Sequence, residues 1–318
     1  MPWQSISPGP GSIIVFNANC SSFRCDGHSV YGWVEYRISH DNGRTYSEVY
    51  DLPYSKEHFL EGDYTISVEK AIACDNGTIV AICLRNTMET PLCCEPWLTP
   101  MYIRSLDGGK SWSEPLELSP YSGRPYDAVY RDGCMYVLHS CNEHFLGTTE
   151  EHKYRIYKSN DNGLTFEELC VIPFNTLGRS YGSIIFDAAG SLHAYAYNVN
   201  SEREMDHAVS HDNGKTWSLC EPCYLAKGIR NPQTALLDGI HILHGRAENT
   251  SGFVFYSSTD GYTWDEGIYL IRKEKAYCFY SNNINLRDEK GNFLLVQYSD
   301  TYSGAKVNVM HMRVRIRR

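Results

Sequence analysis

The chain has 318 residues, 42% hydrophobic and 21% charged, an ordinary globular composition. Its net charge of −9 argues against a nucleic-acid partner, since that binding rests on lysines and arginines neutralising phosphates. No run of about 18 apolar residues occurs, so no membrane-spanning helix is expected.

Met1-Pro2-Trp3-Gln4-Ser5 carries no basic or apolar leader, so a cytoplasmic chain is expected, or a secreted one if a leader has been removed. The 12 cysteines are then expected as buried thiols. Cys220-Glu221-Pro222-Cys223 lacks a second pair or a histidine pair, so neither a metal nor a cofactor is expected.

In chain order the sequence reads as short strands and turns. Strands are predicted near Trp3–Ser7, at Ser12–Asn17, Val30–Ser39 and Glu48–Leu52. A second group covers Thr65–Cys74, Thr78–Arg85 and Met101–Ser105, with Asp75-Asn76-Gly77 as a hairpin turn and Asn86–Pro100 as an insertion. A third takes Tyr126–Tyr130, Cys134–Ser140 and Tyr154–Ser159, and a fourth Ser183–Phe186, Leu192–Asn198 and His207–Ser210. A fifth takes Thr234–Leu237, His241–Gly245 and Phe253–Ser257, and a sixth Asn283–Arg287, Phe293–Tyr298 and Lys306–Arg313. No helix with caps and period is evident. The alternating tail from Arg313 to Arg318 reads as a strand with one solvated charged face.

Each of the first five groups ends in one octet. Ser210-His211-Asp212-Asn213-Gly214-Lys215-Thr216-Trp217 is the model, S-x-D-x-G-x-T-W, and the aspartates fall at 41, 107, 161, 212 and 260. Asp bonds backbone two residues on, Gly supplies positive φ, Ser or Thr closes the turn, and the aromatic plugs the space between sheets. A repeat of this length, with strands in each unit, indicates a propeller. The repeats run almost end to end, so residues 1–318 are expected to form one domain. The octets resemble the Asp-boxes of the sialidase superfamily. That resemblance implies an all-β, six-bladed β-propeller of the sialidase type with five Asp-boxes, the sixth blade unboxed. The first few residues are expected to supply that blade's missing outer strand and so close the ring.

In a propeller the inner strands converge on a central channel, one mouth of which gathers the loops. The polar residues expected there are Asp26, His28, Arg85, Glu95, Arg124, Asp127, Glu143, His144, Arg179, Tyr181, Arg230, Arg246, Glu248 and Tyr280. Buried arginines must find anions. They either pair with Asp26, Asp127, Glu95 and Glu143 as braces, or bind an acidic sugar; Arg246 could also pair with Glu248. His139, His193, His241 and His244 read as structural strand histidines.

Sialidases use an arginine triad for the substrate carboxylate, an Asp acid/base before the first box, and a Tyr nucleophile activated by a Glu. The resemblance places Asp26 as acid/base, Tyr280 as the last-blade tyrosine and Arg246 as one triad arginine. The sequence departs from the family elsewhere. Pro2-Trp3-Gln4-Ser5-Ile6-Ser7 holds no arginine, Arg179-Ser180-Tyr181-Gly182 holds no glutamate, and Tyr197-Asn198 stands where a second arginine is expected. The expected function is therefore a glycoside hydrolase releasing a terminal, acidic, sialic-acid-like sugar from a glycan. Asp26 and Tyr280 are its catalytic residues; Arg85, Glu95, Arg124, Asp127, Arg179, Tyr181, Arg230 and Arg246 are its substrate-binding residues. The alternatives are a propeller polysaccharide lyase acting on uronates, in which Tyr or His abstracts a proton while Arg neutralises the carboxylate, and a non-catalytic glycan-binding propeller. Oligomeric state is not legible.

Overall fold

The structure, a computed structural model, describes residues 2–9, 11–19, 32–88, 97–141, 152–273, 278–303 and 306–317. Six antiparallel sheets stand around one axis. The first is β1 (Pro2–Gly9), β2 (Ser12–Ala18), β3 (Val34–Ser39) and β4 (Tyr50–Asp51). A helix, α1 (Pro53–Glu61), leads to the second: β5 (Tyr64–Ala73), β6 (Ile79–Thr87), β7 (Met101–Ser105) and β8 (Leu116–Glu117). The third is β9 (Gly123–Arg131), β10 (Cys134–Cys141), β11 (Tyr154–Ser159) and β12 (Glu167–Ile172). The fourth is β13 (Arg179–Phe186), β14 (Leu192–Asn198), β15 (Glu204–Ser210), β16 (Ser218–Leu219) and β17 (Cys223–Tyr224). The fifth is β18 (Arg230–Leu237), β19 (Ile240–Arg246), β20 (Gly252–Ser258) and β21 (Ile268–Arg272). The sixth is β22 (Ser281–Asp288), β23 (Gly291–Ser303) and β24 (Lys306–Val314). Strands β1, β5, β9, β13, β18 and β22 touch in that order, and β22 returns to β1, so the ring is closed.

The octets fasten neighbouring blades. Ser39 Oγ donates to Asp41 (2.8 Å) and accepts from Gly43 N (2.9 Å), while Thr45 gives Asp41 its amide (2.9 Å) and hydroxyl (2.7 Å). The same bonds recur around Asp107, Asp161 and Asp212. The shorter fifth octet reuses the serine and two amides around Asp260. These donors, led by the Thr216 hydroxyl, hold the Asp212 carboxyl down at about 2.

Each octet then reaches the preceding blade. Trp112 packs edge-on to Phe16 and Tyr36, Phe166 to Tyr102, and Trp264 to Tyr195. The Gly163 backbone of the third octet lies against the preceding blade. A Cβ on Gly163, at φ 74°, would lie 2.4 Å from Val80 Cγ2. Gly163→Ala is expected to cost ~2–4 kcal/mol, from overpacking plus left-handed strain, in a denaturant titration. Gly108→Ala, at φ 76° with open space around the new Cβ, is expected to cost only ~1 kcal/mol. Equal losses would remove the packing argument.

Two sequence expectations are corrected. Residues 2–9 do not complete blade six; they pair with β2 as the inner strand of blade one, and blade six keeps three described strands. The seam is held by side chains instead. Tyr46 of the first octet bonds His311 on β24 (3.1 Å), and Arg313 donates to the Asn42 carbonyl (2.9 Å). Helix α1 was also not anticipated. Its N-cap, Leu52, has no side-chain cap, but Pro53 pre-sets the first turn and Gly62, at φ 85°, ends it. Its sequence lacks a strong amphipathic period, so only Tyr54 and Ser55 are buried. No helix among the described residues is long and apolar enough to cross a membrane.

The strand histidines are buried. His193, His207 and Tyr195 stack between blades four and five, with His193 Nδ1 3.0 Å from His207 Nε2 and His241 alongside. Burial pushes His207 down to about 3, from about 6.5 in an unfolded chain. Below pH ~6.5 the unfolded chain takes up the proton first, so stability falls as pH drops from ~6.5 toward ~3. His207 by itself is expected to remove about 1.4 kcal/mol per pH unit inside that window. Tm measured from pH 8 to 5 should fall, and His207→Phe should flatten the slope; an unchanged slope would rule the cluster out.

Candidate active site

Octets and inner hairpins lie on one face of the ring; the starts of the inner strands lie on the other, where the candidate residues gather. On the axis, Lys70 of β5 pairs with Asp127 of β9 (3.1 Å) and donates to Gln233 and Asn282. Asp127 also accepts from Ser183 Oγ (2.6 Å) and Ile184 N (2.9 Å), and Ser183 meets Thr234 (2.7 Å). This network ties five inner strands together. Asp127 is thereby engaged by Lys70 and blade four.

Above it, Arg124 is 2% exposed and binds Glu69 through Nε (3.0 Å) and a terminal nitrogen (2.9 Å). Its guanidinium lies over Tyr126 (5.4 Å) and Tyr181 (5.5 Å). The Tyr181 hydroxyl is 3.5 Å from that of Tyr280. Arg246 lies over the Tyr280 ring at 5.4 Å. Arg230, opposite Arg246 in the β18–β19 register, lies over Tyr197 (5.5 Å) and near Glu202 (3.9 Å). Tyr197 donates to Glu202 (3.0 Å), and burial raises its phenol far above the ordinary range, so it stays protonated. Arg124, Tyr181, Arg230, Arg246 and Tyr280 thus share one rim spanning blades three to six.

The guanidinium environments differ. Arg246 is only 4% exposed, yet no carboxylate or hydrogen-bond acceptor reaches it among the described residues, and its Nε is buried without a partner. The brace to Glu248 offered by the sequence does not form: Glu248 binds Arg203 (2.7 Å), which lowers its carboxyl below the usual range. Strain collects at the same rim: Tyr181 (φ 29°), Asn231 (φ 56°) and Phe279 (φ 64°) hold left-handed backbone beside inner-strand starts.

Other residues fall elsewhere. Arg179 is clamped by Asp206 (2.6 Å) and Asn198 (3.0 Å) within blade four. Arg85 donates to the Thr99 carbonyl (2.8 Å) and stacks on Tyr64. Asp26, His28, Glu95, Glu143 and His144 lie outside the described residues. Sequence reasoning missed Glu69, Lys70, Asn231 and Glu202. Glu69-Lys70 carried a signal, two charges inside the apolar strand Ile66–Ala73; Asn231 carried none.

The fold and this rim define a class: a six-bladed β-propeller of the sialidase type, with an arginine- and tyrosine-lined mouth opposite its octets. The BNR/Asp-box repeat family model matches residues 208–219, the fourth octet. No curated protein matches the chain significantly in sequence. Among solved structures, a protein of unknown function from Dyadobacter fermentans superposes with TM-score 0.75 at 18% identity, over 99% of this chain and 94% of that one. The Hadza microbial sialidase gives 0.71 at 14% identity, over 94% of this chain and 63% of that one. A Trypanosoma rangeli sialidase, in complex with a 2,3-difluoro-KDN, gives 0.70 at 12% identity, over 98% and 53%. The chain thus covers 63% and 53% of the lengths of these two sialidases.

Proposed function

We propose that the chain is a glycoside hydrolase that releases a terminal acidic sugar from a glycan. One observation carries the reading: Arg246 is buried at the mouth, over the ring of Tyr280, without a counter-ion among the described residues. A desolvated guanidinium is costly until an anion meets it, so the site is built for a carboxylate. Arg230 and Arg124 flank the same space, Tyr280 faces the anomeric carbon, and Asp26 is the acid/base. A tyrosine nucleophile suits such a substrate because its neutral form does not repel the sugar carboxylate. The test is release of sugar from sialosides and then uronides. Asp26→Ala and Tyr280→Phe should each lower kcat by at least ~100-fold; turnover surviving both changes would remove these roles.

A second reading, a lyase, draws on the Tyr181–Tyr280 hydroxyl pair, 3.5 Å apart; Tyr181 lies in the segment where the family glutamate is expected. A tyrosine base beside arginines suits proton abstraction next to a uronate carboxylate. Product absorbance from a new double bond separates the two reactions. Binding without turnover would instead mark a glycan-binding propeller.

A further inference from the structure

A second buried polar group lacks a hydrogen-bond partner among the described residues, on the strand paired with that of Arg246. Asn231, on β18, is 5% exposed, and neither its Oδ1 nor its Nδ2 makes a hydrogen bond among the described residues. It sits in an irregularity of the β18–β19 ladder that begins at Arg230, the register partner of Arg246. Its backbone is left-handed, φ 56°, a conformation asparagine tolerates better than most side chains. Gly245, next to Arg246, lets this strand come close: a Cβ there would lie 2.8 Å from the Asn231 carbonyl. The fold therefore keeps a strained residue with two unmet hydrogen-bonding needs on the strand paired with that of Arg246, whose guanidinium has no counter-ion among the described residues.

An orphaned buried amide costs stability, so its retention calls for a bonding partner. A carboxylamide both donates and accepts, and a hydroxyl can meet both needs at once. A guanidinium takes a carboxylate. We propose that Asn231 is a specificity-determining residue that binds a hydroxyl adjoining the carboxylate held by Arg246, so that the site selects hydroxy acids over plain carboxylates. The inference rests on the acidic-sugar reading above and adds a discriminating contact to it.

The experiment uses the full chain and four probes: propionate and lactate, which differ by one hydroxyl, and N-acetylneuraminate and glucuronate. Affinities are read by ligand-observed NMR titration. Wild type should bind lactate roughly tenfold more tightly than propionate, the value of one well-made hydrogen bond. Asn231→Gly keeps the left-handed backbone and should erase that preference while leaving propionate affinity unchanged. Its Tm should stay level or rise, because an unmet polar group has been removed. Asn231→Asp should weaken all four acids by charge repulsion. Equal affinity of wild type for lactate and propionate, or a preference that survives Asn231→Gly, overturns the role of Asn231 while leaving Arg246 as the anion site. No binding of any acid overturns both. A fall in Tm in Asn231→Gly with unchanged affinities would assign the side chain to structure alone.

Discussion

Arg246→Met is expected to abolish binding of an acidic sugar without destabilising the protein. Wild-type Arg246 is 4% exposed as a residue, its Nε is buried without a partner, and it lacks a counter-ion among the described residues, so the folded state carries a desolvation cost. Methionine keeps an unbranched stem against Tyr280 and removes the charge. Thermal denaturation should show a Tm unchanged or raised by a few degrees, matching roughly 1–2 kcal/mol. Affinity for N-acetylneuraminate or glucuronate should fall by ~100-fold or more, since a charge-assisted pair is worth about 3 kcal/mol. The informative contrast is Arg179→Met. Arg179 is clamped by Asp206 at 2.6 Å, so its loss should lower Tm and leave affinity nearly intact. If Arg246→Met behaved as Arg179→Met does, Arg246 would be a brace and the acidic-sugar reading would lose its support.

The second large effect lies on the axis. Asp127→Ala is expected to cost about 3–5 kcal/mol, the usual loss when one partner of a buried pair is deleted. Lys70 would keep its charge with only Gln233 and Asn282 to receive it, and Ser183 and Ile184 would lose their acceptor. The double variant Lys70→Met with Asp127→Leu removes both charges and should recover much of the loss. Denaturant titration of the three variants reads this directly. A single Asp127→Ala variant as stable as wild type would show that blades three and four do not depend on the axial network.

Much of the fold is legible in the sequence. The octets around Asp41, Asp107, Asp161, Asp212 and Asp260 close on themselves through bonds within a few residues, so their sequence specifies them wherever they occur. The boundaries of inner strands were less legible. β13 begins at Arg179 and β18 at Arg230, several residues before the apolar runs that marked them, because polar side chains at the channel mouth break the strand pattern without breaking the ladder. Seam closure was misread for a related reason: Tyr46 and His311 lie at opposite ends of the chain and no local pattern links them.

The sequence by itself determined the repeat, the hairpins, the number of blades and a short roster of arginines and tyrosines, because these follow from local bonds and period. Only the tertiary structure decided what each arginine does. Arg124 meets Glu69 from the neighbouring blade, Arg179 meets Asp206 across its own sheet, and Arg246 meets no carboxylate among the described residues. A guanidinium's partner is set by which strands the ring brings side by side, and that distance is not written in the spacing of residues along the chain.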